Sequence, residues 1–133
     1  MAEVYLDTSA SYALLVRADQ DHAAARRALE RLREENAEMV TSSYSVLETV
    51  SLLHHRWGNE AVRDWHANVE PGLRIVWVDE KIHEHAMIAL LASGSRRISL
   101  TDWVGFEVIR RERIGRAFTF DDDFRGRGFD TIP

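Results

Sequence analysis

The sequence predicts an α/β fold built on a mainly parallel sheet, and three observations carry that expectation. Short apolar, β-prone runs alternate with longer amphipathic stretches along the whole chain. Those runs are apolar nearly throughout, which implies a sheet covered by helices on both faces. Ser, Thr or Asp stands at the points where strands must hand over to helices.

The elements follow in order. Val4-Tyr5-Leu6 predicts a first strand that stops at Asp7, with Thr8 and Ser9 offering caps for a helix through Tyr12-Ala13-Leu14-Leu15-Val16. Ala24, Ala28, Leu29 and Leu32 form the apolar stripe of a helix between Asp21 and Asn36. Met39-Val40-Thr41 predicts a second strand, after which Ser42 and Ser43 cap a helix to about Arg56. Gly58-Asn59 breaks the chain before a helix from Glu60 to Val69, and Pro71-Gly72 marks a turn. Arg74–Val78 predicts a strand, Asp79 caps a helix through Leu91, and Gly94 ends it. Leu100–Ile114 predicts the last long helix, with Gly115 as its C-cap. Ala117–Phe120 predicts a buried strand, and Phe129–Ile132 an edge strand. In such sheets ligands bind beyond the carboxyl ends of the strands, where Asp7 and Asp121 stand.

Composition narrows the class further. A chain of 133 residues fits a single domain, 1–133, with 45% hydrophobic residues to build one core. The absence of cysteine excludes disulfides and thiolate metal sites and suits a reducing cytoplasm. No apolar run approaches the ~20 residues of a membrane span, and Met1-Ala2-Glu3-Val4 lacks the start of a signal peptide. A soluble cytoplasmic protein is the expectation. The net charge of −5 argues against a basic nucleic-acid coat protein. Yet 16 of the 17 basic residues are arginine, eight of them between Arg96 and Arg127. Guanidinium groups grip phosphate through paired hydrogen bonds, so a local anion-binding rim is one reading and solvated helix faces the other.

Among 22 acidic residues, four stand in or beside uncharged, core-like stretches. Asp7 is alone between Val4 and Val16, Glu48 between Met39 and His55, and Asp102 between Ile98 and Phe106, while Asp121 follows the uncharged run Ala117–Phe120. An ionised carboxylate in such surroundings needs a cap, a basic partner or a metal. Capping accounts for Asp7 and Asp102 taken singly, and a turn for Asp121. Glu48 resists that explanation. Val46, Val50 and Leu53 form one stripe of its helix and Glu48 lies on the other side, between Tyr44 and Leu52, so the helix is expected to be buried nearly all round with its carboxylate facing a pocket or a buried arginine. Several carboxylates in one pocket repel unless a cation holds them, and a hard ion such as Mg²⁺ favours oxygen ligands.

These same residues carry a family resemblance. Val4-Tyr5-Leu6-Asp7-Thr8-Ser9, Ser42–Thr49 around Glu48, Ser99-Leu100-Thr101-Asp102-Trp103-Val104-Gly105-Phe106, and Ala117–Asp121 through Phe124 with Gly128-Phe129 resemble, in order, the acidic segments of PIN-domain nucleases. A chain of this length is similar to the VapC-type toxins of prokaryotic toxin–antitoxin pairs. The resemblance implies a three-layer α/β/α fold and an endoribonuclease using Mg²⁺ or Mn²⁺, commonly a homodimer and neutralised by a small antitoxin. It also implies Asp7 and Asp102 as principal metal ligands, Glu48 and Asp121 completing the acidic pocket directly or through water, and Thr8 and Thr119 as supporting hydroxyls. Asp123 rivals Asp121 for its place, and bulky Trp103 beside Asp102 implies an unusual pocket wall.

Other features carry less. His83 and His85 lie two apart, so on a helix they diverge by about 200° and make no zinc pair. Arg125-Gly126-Arg127-Gly128 reads as a turn with solvated arginines, and the four tryptophans as core or interface aromatics. Two alternatives remain. One is a phosphoacceptor receiver-like signalling domain, disfavoured because no lysine follows Lys81. The other is a catalytically inactive PIN-like binding module, disfavoured because all four positions are acidic.

Overall fold

The computed structural model describes residues 2–133. Met1, which opens both the single-domain span and the amino-terminal stretch read above, lies outside the described residues. Five parallel strands form one sheet in the order β3-β2-β1-β4-β5. In chain order these are β1 (Glu3–Leu6), β2 (Glu38–Ser42), β3 (Leu73–Val76), β4 (Arg116–Phe118) and β5 (Asp130–Ile132). The helices are α1 (Thr8–Leu15), α2 (His22–Glu34), α3 (Ser43–Trp57), α4 (Asn59–Asn68), α5 (Glu80–Ser93), α6 (Leu100–Glu112) and α7 (Asp122–Gly126). No helix among the described residues is long and apolar enough to cross a membrane.

Alternation along β1 explains the layering. Val4 and Leu6 point to one face, where α1 and α2 bring Ala10, Leu14, Ala25, Leu29 and Leu32. Tyr5 points to the other, against Ile82, Val104, Phe106, Val108 and Phe124 of α5, α6 and α7. All three β1 side chains are essentially inaccessible, so both faces of the central strand are dry. The strand order reverses at β1: the chain builds β2 and β3 on one side and then returns to build β4 and β5 on the other. That reversal opens a crevice beyond the carboxyl ends of β1 and β4.

Gly105 of α6 packs directly on the Tyr5 side chain of β1. A Cβ added at Gly105 would stand 3.1 Å from the Tyr5 ring and hydroxyl, tighter than packed atoms accept. Glycine at this position lets the helix settle against the strand, with Asp102 one turn earlier over the strand end. Tyr5 Oη in turn donates to Ser42 Oγ (3.2 Å). Burial pushes the Tyr5 phenol above its ordinary range, so it acts as a neutral strut.

Several local expectations need correction. Asp7, not Thr8 or Ser9, is the N-cap of α1. α6 ends at Arg113, which adopts the left-handed conformation (φ 55°) in place of the expected Gly115. The third strand stops at Val76, and Trp77 turns outward, 73% exposed, because no neighbouring strand continues beyond Ser42 to pair with it. The fourth strand stops at Phe118, where Thr119 turns its hydroxyl into the crevice. The Asp122–Gly126 stretch folds as a short helix, anchored by the fully buried Phe124 against Phe106 (4.9 Å between ring centroids) and Tyr5 (6.2 Å). Burial of such a ring contributes about 1.5–3 kcal/mol.

Candidate active site

Asp7 closes β1 and opens α1, with only 4% of its surface exposed. Its Oδ2 accepts from the Ser9 amide (3.4 Å), Ser9 Oγ (2.8 Å) and Thr119 Oγ1 (2.9 Å). Oδ1 accepts no hydrogen bond among the described residues. Ser9 Oγ also accepts from the Phe120 amide (2.9 Å), and Thr119 Oγ1 from the Asp121 amide (3.0 Å). The ends of β1 and β4 are thereby tied together across the crevice.

Asp102 forms a reciprocal cap with Ser99: its Oδ2 accepts from the Ser99 amide (3.1 Å), and its own amide donates to Ser99 Oγ (3.2 Å). Asp121 is the N-cap of α7, its Oδ1 accepting from the Asp123 amide (2.9 Å). Asp7, Asp102 and Asp121 therefore share one arrangement. Each commits one carboxylate oxygen to holding a helix start and leaves the other unbonded.

The electrostatics agree. Burial raises the Asp7 carboxyl above its ordinary range, the Asp121 charge adds to the rise, and the Ser9 and Thr119 hydrogen bonds oppose it. Burial first, and the Asp7 charge second, push Asp102 up to about 7. Asp121 is raised by burial and by the nearby Asp123. Three carboxyls raised first by burial and then by neighbouring carboxylate charge are crowded in one partly dry pocket. Oxygens of Asp102, Asp121 and Asp123 lie within 4.8 Å of one another, close enough to share one ion. Asp123 is nearly buried, and its Oδ1 accepts from Arg97 Nη2 at 2.6 Å.

The structure thus brings Asp7, Asp102, Asp121, Asp123 and Thr119 to one crevice. Glu48 stands apart from the close group: it is half-buried and makes no hydrogen bond or ion pair among the described residues. The expectation that its helix is buried nearly all round is overturned. α3 packs one side on α1 and α4 and another on α6, but Leu47 beside Glu48 is 66% exposed. Thr8 Oγ1 pairs with Ser45 Oγ (2.9 Å), tying α1 to α3, rather than with any acid. Sequence reasoning passed over Ser99, a capping partner legible in Ser99-x-x-Asp102, and Arg97, whose partner 26 residues away left no local signal.

The histidines lie elsewhere. His83 Nδ1 meets Tyr44 Oη (2.6 Å), and His85 packs with Glu107 and Arg111. Of the tryptophans, Trp65 and Trp103 are core, Trp57 and Trp77 exposed. A cavity of about 500 Å³ among α1, α2 and α4 lies away from the acids.

The chain matches the PIN domain family over residues 4–129. It is 30% identical over 127 residues to the 23S rRNA-specific endonuclease VapC20 of Mycobacterium tuberculosis, covering 95% of each protein. The crystal structure of that protein, described as a sarcin–ricin loop cleaving toxin, superposes with a TM-score of 0.83 at 29% identity, over 98% of this chain and 99% of the other. VapBC2 from Rickettsia felis, bound to a DNA fragment from its promoter, shares the fold with a TM-score of 0.72 at 16% identity, over 97% and 96% of the chains. FitAcB from Neisseria gonorrhoeae shares it with a TM-score of 0.69 at 17% identity, over 98% and 96%. The receiver-like alternative has no place in this fold family. The chain belongs to the PIN-domain family, as an endoribonuclease of the VapC toxin type.

Proposed function

We propose that this ribonuclease is Mg²⁺- or Mn²⁺-dependent, that Asp7, Asp102 and Asp121 hold the ion, and that Glu48 completes the pocket through water. The observation that carries the reading is the unbonded second oxygen on each of the three capping aspartates. An all-oxygen donor set of clustered carboxylates suits a hard divalent ion. The bound ion supplies Lewis-acid stabilisation of the charge that builds on the phosphate, and a source of hydroxide at neutral pH. The chain's own residues then have distinct tasks. Ser9 and Thr119 orient Asp7, Ser99 orients Asp102, and the Asp123 amide orients Asp121. Such outer partners are worth about 10–100-fold in metal affinity or activity. The same reading treats residues 1–133 as one nuclease domain.

By likeness to VapC20, the substrate proposed is 23S rRNA at its sarcin–ricin loop. Incubation with a 23S fragment carrying that loop should give one cut with Mg²⁺ or Mn²⁺, none with EDTA, and recovery when metal is restored. Cleavage that persists in EDTA would refute the metal dependence, and equal cutting of an unrelated RNA would refute the substrate.

Two partners belong to the proposal. A small antitoxin is supported by the toxin–antitoxin neighbours, and the cavity floored by Leu14, Leu29, Leu32 and Met39 offers a place to lay a helix. A homodimer is supported by exposed apolar residues: Ile88 and Leu91, three apart on α5, are 66% and 74% exposed, and Leu47 and Trp77 are exposed as well. The pair Ile88→Glu and Leu91→Glu should convert a dimer to monomer in size-exclusion chromatography with light scattering. A monomeric wild type would remove this part of the reading.

A further inference from the structure

We propose that Arg97, anchored by Asp123, is the cation that receives the substrate phosphodiester, and that Asp123 is its positioning residue rather than a ligand of the metal. This rests on the metal-dependent ribonuclease reading above.

The ion pair is lopsided in a telling way. The carboxylate side is 8% exposed and the arginine side 79% exposed, joined by a 2.6 Å bond from Nη2 to Oδ1. One end of the guanidinium is therefore fixed, while Nη1 and Nε have no protein partner among the described residues and face solvent. A charge-assisted bond of this length is strong, and it leaves the planar fork free to engage a second oxyanion. The backbone around it is also held. The Ser95 amide donates to Ser93 Oγ (3.2 Å), and the Arg97 amide to Ser95 Oγ (3.2 Å).

Position supplies the rest. Asp123 lies within 4.8 Å of Asp102 and Asp121 through their carboxylate oxygens, so the guanidinium sits at the lip of the acidic pocket. A polyanionic substrate approaching several aspartates is repelled unless a cation meets it there. Of the other arginines in this stretch, Arg111 pairs with Glu107 and Arg116 with Glu35. Arg127 lies over the Trp103 ring, and Arg125, which shares a small cavity with Asp121, donates to Thr131. Among the described residues, Arg97 alone in the stretch is paired with an acid of the cluster.

The pairing also separates the two rival acids. A divalent ion on Asp123 would lie beside the guanidinium already on that carboxylate, and like charges there oppose binding. Asp121 forms no ion pair among the described residues, and its Oδ2, like that of Asp123, accepts no hydrogen bond there, so the guanidinium is what tells the two acids apart. The aspartate that follows the strand is thus the ligand, and the buried one two residues on positions Arg97.

The test has two arms. Calorimetric titration with Mn²⁺ alone should show Asp121→Asn weakening the metal at least about tenfold, with Asp123→Asn and Arg97→Ala within about threefold of wild type. In cleavage of the 23S fragment at saturating Mn²⁺, Arg97→Ala should lower kcat/KM about thirtyfold and flatten the log–log salt dependence by roughly 0.7, as for one lost phosphate contact. Arg97→Lys should recover part of the rate. Asp123→Asn should copy Arg97→Ala, and the double variant should be no worse than either by more than about twofold.

Three results would overturn the proposal: Asp123→Asn losing Mn²⁺ as Asp121→Asn does, Arg97→Ala cleaving within about twofold of wild type, or Arg97→Ala binding Mn²⁺ tenfold tighter. A wild-type chain that cleaves no RNA would refute the ribonuclease reading instead, while the Mn²⁺ arm still decides the place of Asp123. Arg97 is exposed, so its variants test the idea even if Asp123→Asn folds poorly.

Discussion

Asp7→Asn should abolish RNA cleavage by on the order of a thousandfold or more, and the metal-free variant should melt higher than the metal-free wild type. The first effect follows from the proposed ligand role. Loss of an outer partner of a metal site costs about 10–100-fold, and loss of a charged ligand at its centre should exceed that. The second follows from burial. The Asp7 carboxyl is almost wholly enclosed and raised by that enclosure, so its ionised form works against folding at neutral pH. Asn keeps a carbonyl oxygen to accept from Ser9 and Thr119, so the cap survives the loss of charge. Paired measurements of cleavage rate and melting temperature in EDTA check both halves. A variant that cleaves within tenfold of wild type, or melts lower, contradicts the assignment.

The metal-free protein should lose stability as pH rises from 5 to 8, and added Mn²⁺ should reverse the trend. The sign follows from linkage. Asp7, Asp102 and Asp121 are all raised in the fold above their unfolded values near 3.9. Between the unfolded value and the folded one, which for Asp102 is about 7, the native state binds more protons than the unfolded state. Stability therefore falls across that window. Glu107, lowered by Arg111 and His85 against the opposing effect of burial, acts in the opposite sense but only at more acid pH. A drop of about 5 °C between pH 5 and 8 is the expected scale, reduced by solvent on the open side of Asp102. Asp102→Asn should flatten the profile. Because the ligands must shed protons to take a cation, Mn²⁺ should raise the melting temperature more at pH 8 than at pH 5. A metal-free profile that rises over this range would sink the account.

Much of the fold was legible because its signals are local. Apolar runs of four or five residues ended by Asp, Ser or Thr gave strand-to-helix junctions, and the dryness of those runs gave helices on both faces. What failed was equally local in origin. Gly115 looked like the helix end, yet Arg113 takes the left-handed turn two residues sooner, because helix ends are set by packing as much as by propensity. α7 has no counterpart among the elements expected from the sequence, which reads only Arg125–Gly128 as a turn, since nothing in Asp122–Gly126 says that Phe124 will find Phe106 and Tyr5.

The candidate site divides in the same way. Lone carboxylates in uncharged stretches point to Asp7, Asp102 and Asp121, and capping does not exclude ligation: a carboxylate has two oxygens, of which one holds the helix start and the other serves the ion in the proposed reading. Glu48 is the strongest physical clue in the sequence only if helix periodicity means burial. Periodicity reports which residues share a face, not whether another element covers that face, and Leu47 shows that part of α3 is left open.

The sequence by itself determined the fold class, the end of the first strand and the acid that closes it, because those depend on neighbours within a few residues. The ends of β3 and β4 depended on which strands lie beside them. Only the tertiary structure decided which acids meet, through the reversal of strand order at β1 and the close seat of α6 over Tyr5 at Gly105. It alone gave Asp123 to Arg97, since burial and charge pairing are properties of chain segments far apart in sequence and adjacent only once folded.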